Sequence, residues 1–114
     1  MTNKELKYLE DVLLAINDIN EIVGKPRIFE NFVNNKTIRF AVERNFEIIG
    51  EAIKNFKKLN NEIDIIYSKQ IIGLRNIISH AYDAVDYPRV WSIIINHLPD
   101  LEKEVSALIK KFEH

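Results

Sequence analysis

Lys4-Glu-Leu-Lys-Tyr-Leu-Glu-Asp-Val-Leu-Leu-Ala-Ile-Asn-Asp-Ile-Asn-Glu-Ile-Val23 places apolar residues at Leu6, Leu9, Val12, Leu13, Ile16, Ile19 and Val23. Steps of three and four residues put these side chains on one stripe of a helix, with charged and amide residues on the opposite side. The stripe predicts a helix over 4–23, with Asn3 as its N-cap and Gly24 just past its end, where a left-handed residue is tolerated. The same period governs the rest of the chain. Pro26 is expected to open a short second helix with Ile28, Phe29, Phe32 and Val33 as its apolar face, before the turn signal Asn34-Asn35. A third helix is predicted over 36–57, with Ile38, Ala41, Val42, Ile49, Ala52, Ile53 and Phe56 inward. Gly50 should weaken it by roughly 1 kcal/mol relative to alanine. After a polar connection over 58–62, a fourth helix is expected over 63–79, with Ile66, Ile71, Leu74, Ile77 and Ile78 inward. A connector over 81–85 leads to Asp86, an N-cap residue, and Pro88 in the first turn of a last helix. That helix carries Trp91, Ile94, Ile95, Leu98, Leu101, Val105, Leu108 and Phe112. Pro99 must kink or split it, because it has no N–H for the carbonyl of Ile95 and its ring crowds that carbonyl. No stretch alternates as a strand would. The prediction is an all-α bundle of four main helices plus one short one, a single domain over 1–114.

Composition narrows the function. The chain has 114 residues, 46% of them apolar and 29% charged, with three glycines and three prolines. That supports one core and a solvated surface, and disfavours a many-stranded fold. A formal charge of −1 is unlike the strongly basic surface of a general nucleic-acid binder, so any contact with RNA or DNA must use a local site. The absence of cysteine excludes disulfides, thiolate metal sites and a cysteine nucleophile, and fits a cytoplasmic location. The chain begins Met1-Thr-Asn-Lys-Glu without the pattern of a signal peptide, and no apolar run approaches the roughly 20 residues that cross a bilayer, so no membrane role is expected.

One segment needs more than a structural explanation: Gly73-Leu-Arg-Asn-Ile-Ile-Ser-His-Ala-Tyr82. Arg75 offers a fixed, forked positive charge, His80 can exchange a proton near neutral pH, and Tyr82 carries a modifiable hydroxyl. Together they suit metal-independent RNA cleavage. A neutral histidine takes the proton of the attacking 2′-hydroxyl, and an arginine stabilises charge on the phosphoryl oxygens. No carboxylate cluster with two-metal spacing accompanies them, and Asp83 and Asp86 alone do not make one. Five residues separate Arg75 from His80, about 140° around an ideal helix, so the two do not share a face. Either the helix ends near Ser79 and the chain folds back, or two copies of the protein meet at this end and line one cleft. The plainer readings are a histidine complementing a helix C-terminus, a surface arginine and a core tyrosine with a wet tip. Arg44, Glu47 and Glu51 recur at helical spacing on the third helix, as a solvated charge ladder or as the lining of a cleft or dimer seam. His97 and His114 have no comparable neighbours.

The motif segment, with Val85-Asp86 and Val90-Trp91 after it, resembles the HepT-like branch of the HEPN superfamily. So do Ala41-Val-Glu-Arg-Asn-Phe-Glu-Ile-Ile-Gly-Glu-Ala52 and Leu98-Pro99-Asp-Leu101. The resemblance runs from about Leu6 to Phe112. It implies a HEPN-type helical homodimer with Arg75 and His80 as the catalytic pair in a cleft between subunits, and Asn76 in support. It also implies a ribonuclease that needs no cofactor and serves as the toxin of a type VII toxin–antitoxin pair. An MntA-like nucleotidyltransferase antitoxin would use ATP to adenylylate Tyr82 and silence the toxin. Tyr67 stands where many relatives have tryptophan, a change expected to affect packing. The competing expectation is a non-catalytic helical module that binds a nucleotide or a nucleotidyltransferase partner.

Overall fold

The computed structural model describes residues 2–80 and 85–113, the side chains of 75–80 excepted. In chain order its elements are α1 (Asn3–Val23), α2 (Phe29–Val33), α3 (Lys36–Leu59), a 3-10 turn (Ile66–Ser68), α4 (Lys69–His80), α5 (Tyr87–Asn96) and α6 (Leu98–Phe112). No strand occurs among the described residues, and the all-α prediction holds. No helix among them is long and apolar enough to cross a membrane.

The start of α1 lies one residue earlier than the spacing suggested. Thr2, not Asn3, is the N-cap: its hydroxyl accepts from the Glu5 N–H at 3.1 Å, and the Glu5 carboxylate accepts from the Thr2 N–H at 2.8 Å. This reciprocal pair satisfies two otherwise orphaned donors, and Thr2-Asn-Lys-Glu5 has the spacing it requires. The other end closes at Gly24, whose φ of 68° is open to glycine at little cost. Arg27 covers the exposed carbonyls there, donating to Gly24 O at 2.9 Å and to the Asn20 side chain at 3.0 Å. A cation at a helix C-terminus also complements the dipole.

α1 and α3 are the two longest helices, and they pack along one another. Leu9, Val12, Ile16 and Ile19 of α1 and Val42, Phe46, Ile49, Ile53 and Phe56 of α3 are all buried. Phe46, four residues after Val42, belongs to the α3 stripe although it was missing from the expected core. Ile38 and Ala41 are only partly buried, at the open end of the same helix, which continues to Leu59 rather than stopping at Lys57. α6 packs on α1, while α2 is tied to α5 by aromatic rings. The Phe32 and Trp91 rings stack with centroids 5.5 Å apart, and Phe29 meets Trp91 edge-on at 5.9 Å. α2 itself begins at Phe29, not at Pro26, and Ile28 occupies the N-cap position, where it is exposed instead of joining the apolar face.

The approach to α4 departs most from expectation. Residues 63–65 are not helical, Ile65 is fully buried, and Ile66, predicted inward, is 62% exposed. The chain enters through the 3-10 turn, whose own N-cap residue, Ile65, has no side-chain hydrogen bond to offer. The missing acceptor comes from α6. The Glu104 carboxylate receives the Ile66 N–H at 2.8 Å and the Tyr67 N–H at 3.0 Å. Ser68 completes the turn by donating its hydroxyl to Ile65 O at 2.6 Å. Tyr67 is itself exposed, so the change from tryptophan alters the surface rather than the core. Past its start, α4 buries Ile71 and Leu74. Pro99 splits the last helix: α5 ends at Asn96, His97 bridges the two segments, and α6 begins at Leu98 with proline in its first turn. The break shifts the phase of α5, burying Ile93 and leaving Ile95 exposed.

Because a remote carboxylate stands in for a local cap, Glu104→Ala should lower unfolding free energy by about 1–2 kcal/mol in urea titration. Glu113→Ala, which removes a charge at the end of α6, should change it by less than about 0.5 kcal/mol.

Candidate active site

α4 runs without a break from Lys69 to His80, so Arg75, Asn76 and His80 all lie on one continuous helix. The fold-back that would have begun near Ser79 does not occur before His80. In the register of this helix, positions 75 and 80 remain about 140° apart and about 7.5 Å apart along the axis. Tyr82 lies outside the described residues, as do Asp83 and His114. Asp86 caps α5, accepting from the Arg89 N–H at 3.2 Å, which accounts for it without a ligand role.

Arg44, Glu47 and Glu51 line one groove of about 410 Å³ between α1 and α3, together with Tyr8 and Asp11. Arg44 and Glu47 approach to 4.0 Å, with the arginine side chain 72% exposed. A pair so open to water contributes little to stability. The three residues therefore form a polar recess on the α1 side of α3.

The spacing of the sequence gave no notice of a second polar group, at the N-terminal half of α3. Arg39 reaches across to α5: its guanidinium donates to Val33 O and lies 5.2 Å from the centroid of the Tyr87 ring. Tyr87 in turn meets Phe32 edge-on at 6.0 Å. One turn along α3 from Arg39 is Glu43. Arg39 Nε and Glu43 Oε2 are both buried, and neither has a hydrogen-bond partner among the described residues. Burial pushes the Glu43 carboxyl above its ordinary range, and Glu47 adds to that, while Arg39 opposes it. Arg39, Glu43 and Glu47 stand at i, i+4 spacing, but a helical charge series does not reveal which member is covered. Among the described residues, no group of three or more His, Asp or Glu could hold a metal ion.

These features define a class: an α-helical bundle whose fourth helix carries an arginine and a histidine five residues apart. The family is shown by sequence comparison, because a model described as "Ribonuclease HepT-like" matches residues 12–108. The chain belongs to the HepT-like ribonuclease family. It is 36% identical over 115 residues to "Putative RNase MJ0125" of Methanocaldococcus jannaschii, covering 99% of this chain and 98% of that one. It is 37% identical over 110 residues to "Putative RNase MJ1380" of the same organism, covering 95% and 100%. With "Probable ribonuclease HepT" of Thermococcus cleftensis it shares 36% identity over 114 residues, covering 96% and 100%. No solved structure matches.

Glu43 also makes stability depend on pH. A carboxyl whose folded pKa exceeds its unfolded value binds its proton more tightly in the native state, so stability falls as pH rises through the interval between the two. Glu43→Gln should flatten the loss of stability above the usual carboxylate range and raise Tm at pH 7 relative to wild type. A parallel pair of Tm–pH curves would contradict the assignment.

Proposed function

We propose that this chain is a metal-independent RNA endonuclease that works as a homodimer, the toxin of a cytoplasmic type VII toxin–antitoxin pair. The observation that carries the reading is the unbroken α4, in a chain of this family. Positions 75 and 80 stand on different faces of this helix, so its register alone does not set both toward one phosphate. A second copy related by a two-fold axis can supply the missing face without new sequence. In the resulting cleft His80 takes the proton from a ribose 2′-hydroxyl, whose oxygen attacks the adjacent phosphorus. The bond to the 5′-oxygen breaks, and that oxygen takes up a proton, leaving a 2′,3′-cyclic phosphate and a 5′-hydroxyl. Arg75 stabilises the charge that builds on the non-bridging oxygens, and Asn76 supports the site by hydrogen bonding. Neither role needs a metal ion.

Regulation follows from the position of Tyr82, two residues after His80. An MntA-like nucleotidyltransferase would direct the Tyr82 hydroxyl onto the α-phosphorus of ATP, with pyrophosphate leaving. The new phosphodiester carries a negative charge and a bulky nucleoside into the neighbourhood that RNA must enter. It competes for the same cation and blocks the cleft.

Two measurements test this. In chelator, purified protein should cleave single-stranded RNA, and Arg75→Ala or His80→Ala should reduce the rate by at least about 10²-fold. Cleavage that survives both changes would overturn the mechanism. Co-expression with an MntA-like nucleotidyltransferase should raise the intact mass in whole adenylyl increments that vanish in Tyr82→Phe.

A further inference from the structure

The α4 face that carries Gly73 is occupied by a cation from another helix. A terminal nitrogen of the Arg89 guanidinium lies 3.9 Å from the point where a Cβ on Gly73 would stand. Arg89 belongs to the first turn of α5, and its backbone N–H is fixed by the Asp86 cap at 3.2 Å. Its side chain is exposed, and no carboxylate lies within ion-pair distance of it among the described residues. The other arginine of this corner, Arg39, is already engaged by Val33 O and the Tyr87 ring. Arg89 is thus a guanidinium laid against the motif helix, with no ion-pair partner among the described residues.

Helical register gives that placement a consequence. Seven residues separate Gly73 from His80, so the two positions fall within about 20° of one another, about 10.5 Å apart along α4. Position 76 lies about 60° from Gly73, toward the same side. The face that ends at His80 therefore begins under Arg89. A single strand whose cleaved linkage sits at His80 and which continues along α4 would bring a neighbouring phosphate to this guanidinium.

We infer that Arg89 binds a phosphate of the RNA strand flanking the cleaved linkage, and so fixes the direction in which the strand crosses the motif helix. This rests on the ribonuclease reading above. A forked, permanently charged donor suits a phosphate, and in a protein of net charge −1 a local cation of this kind matters more than the overall field. Arg89 is a substrate-binding residue, with no part in the proton transfers. The glycine beneath it also has a role. At 3.9 Å an added methyl makes only ordinary contact, whereas a leucine side chain at position 73 would take the space in which the guanidinium lies.

The test uses the full-length protein and a labelled oligonucleotide. In Arg89→Ala, KM for a single-stranded RNA of about ten nucleotides should rise roughly tenfold while kcat changes less than twofold, and Arg89→Lys should recover part of the loss. Binding by the cleavage-deficient His80→Ala protein should show a log Kd against log salt slope reduced by about 0.7 when Arg89 is also replaced, the value for one phosphate contact on a single strand. Gly73→Ala should behave like wild type, and Gly73→Leu should reproduce the KM effect if circular dichroism shows the fold retained. Lys110→Ala, an equal loss of charge on α6, should leave KM and slope unchanged. If Arg89→Ala alters neither KM nor slope while His80→Ala abolishes cleavage, the ribonuclease reading stands and the role of Arg89 is refuted. Equal effects of Arg89→Ala and Lys110→Ala would refute it as well, by reducing it to general electrostatics. If wild type neither cleaves nor binds RNA, both readings fall together.

Discussion

Two backbone N–H groups at the entrance to the motif helix, those of Ile66 and Tyr67, find their acceptor on Glu104, nearly forty residues further along the chain. A helical start without a capping side chain would leave donors unmet, and the 3-10 turn that leads into α4 has none of its own at Ile65. The carboxylate of α6 supplies the cap and fixes where α4 begins. Because the helix is rigid, fixing its start fixes the axial level and rotation of every position up to His80. The chemistry proposed for this chain depends on those two coordinates. Burial of Ile71 and Leu74 sets the rotation, and the bond to Glu104 sets the level.

The rest of the bundle holds this arrangement in place. α1 and α3 form a long apolar contact that needs no polar help. α6 rests on α1, carrying Glu104. The aromatic corner of Phe29, Phe32, Tyr87 and Trp91 ties α2 to α5. It also holds the first turn of α5 where Arg89 can meet α4. Nearby lie Arg39 and Glu43, whose buried Nε and Oε2 have no hydrogen-bond partners among the described residues. Buried groups without partners cost stability and are uncommon.

Periodicity made the helices legible because apolar spacing reports directly on which side is buried. It found α1, α3 and the last helical segment, and Pro99 forced the break that separates α5 from α6. Where it failed, the cause was a partner distant in sequence or a break in the helix. Ile66 fits a helical stripe, but Glu104 holds it in a 3-10 turn that faces outward. Ile95 fits the stripe of a continuous helix but not that of one interrupted at His97. Thr2 could have been recognised from Thr2-Asn-Lys-Glu5, and Phe46 from its step of four after Val42. At the site, the motif of Arg75, Asn76 and His80 was visible as a pattern, and the groove residues Arg44, Glu47 and Glu51 as a series. The placement of Arg89 over Gly73 was not, because a contact between an isolated glycine and an isolated arginine leaves no periodic trace.

The central claim is that one cleft draws its arginine and its histidine from two chains. It is tested most directly by mixing two inactive proteins, Arg75→Ala and His80→Ala, after denaturation and joint refolding, and measuring RNA cleavage. A mixed dimer retains one intact arginine and one intact histidine on opposite subunits. The account predicts that cleavage returns in the mixture, to a substantial fraction of the wild-type rate, while each protein refolded alone stays inactive. A mixture that forms mixed dimers, verified by mass, yet cleaves no better than its components would contradict it.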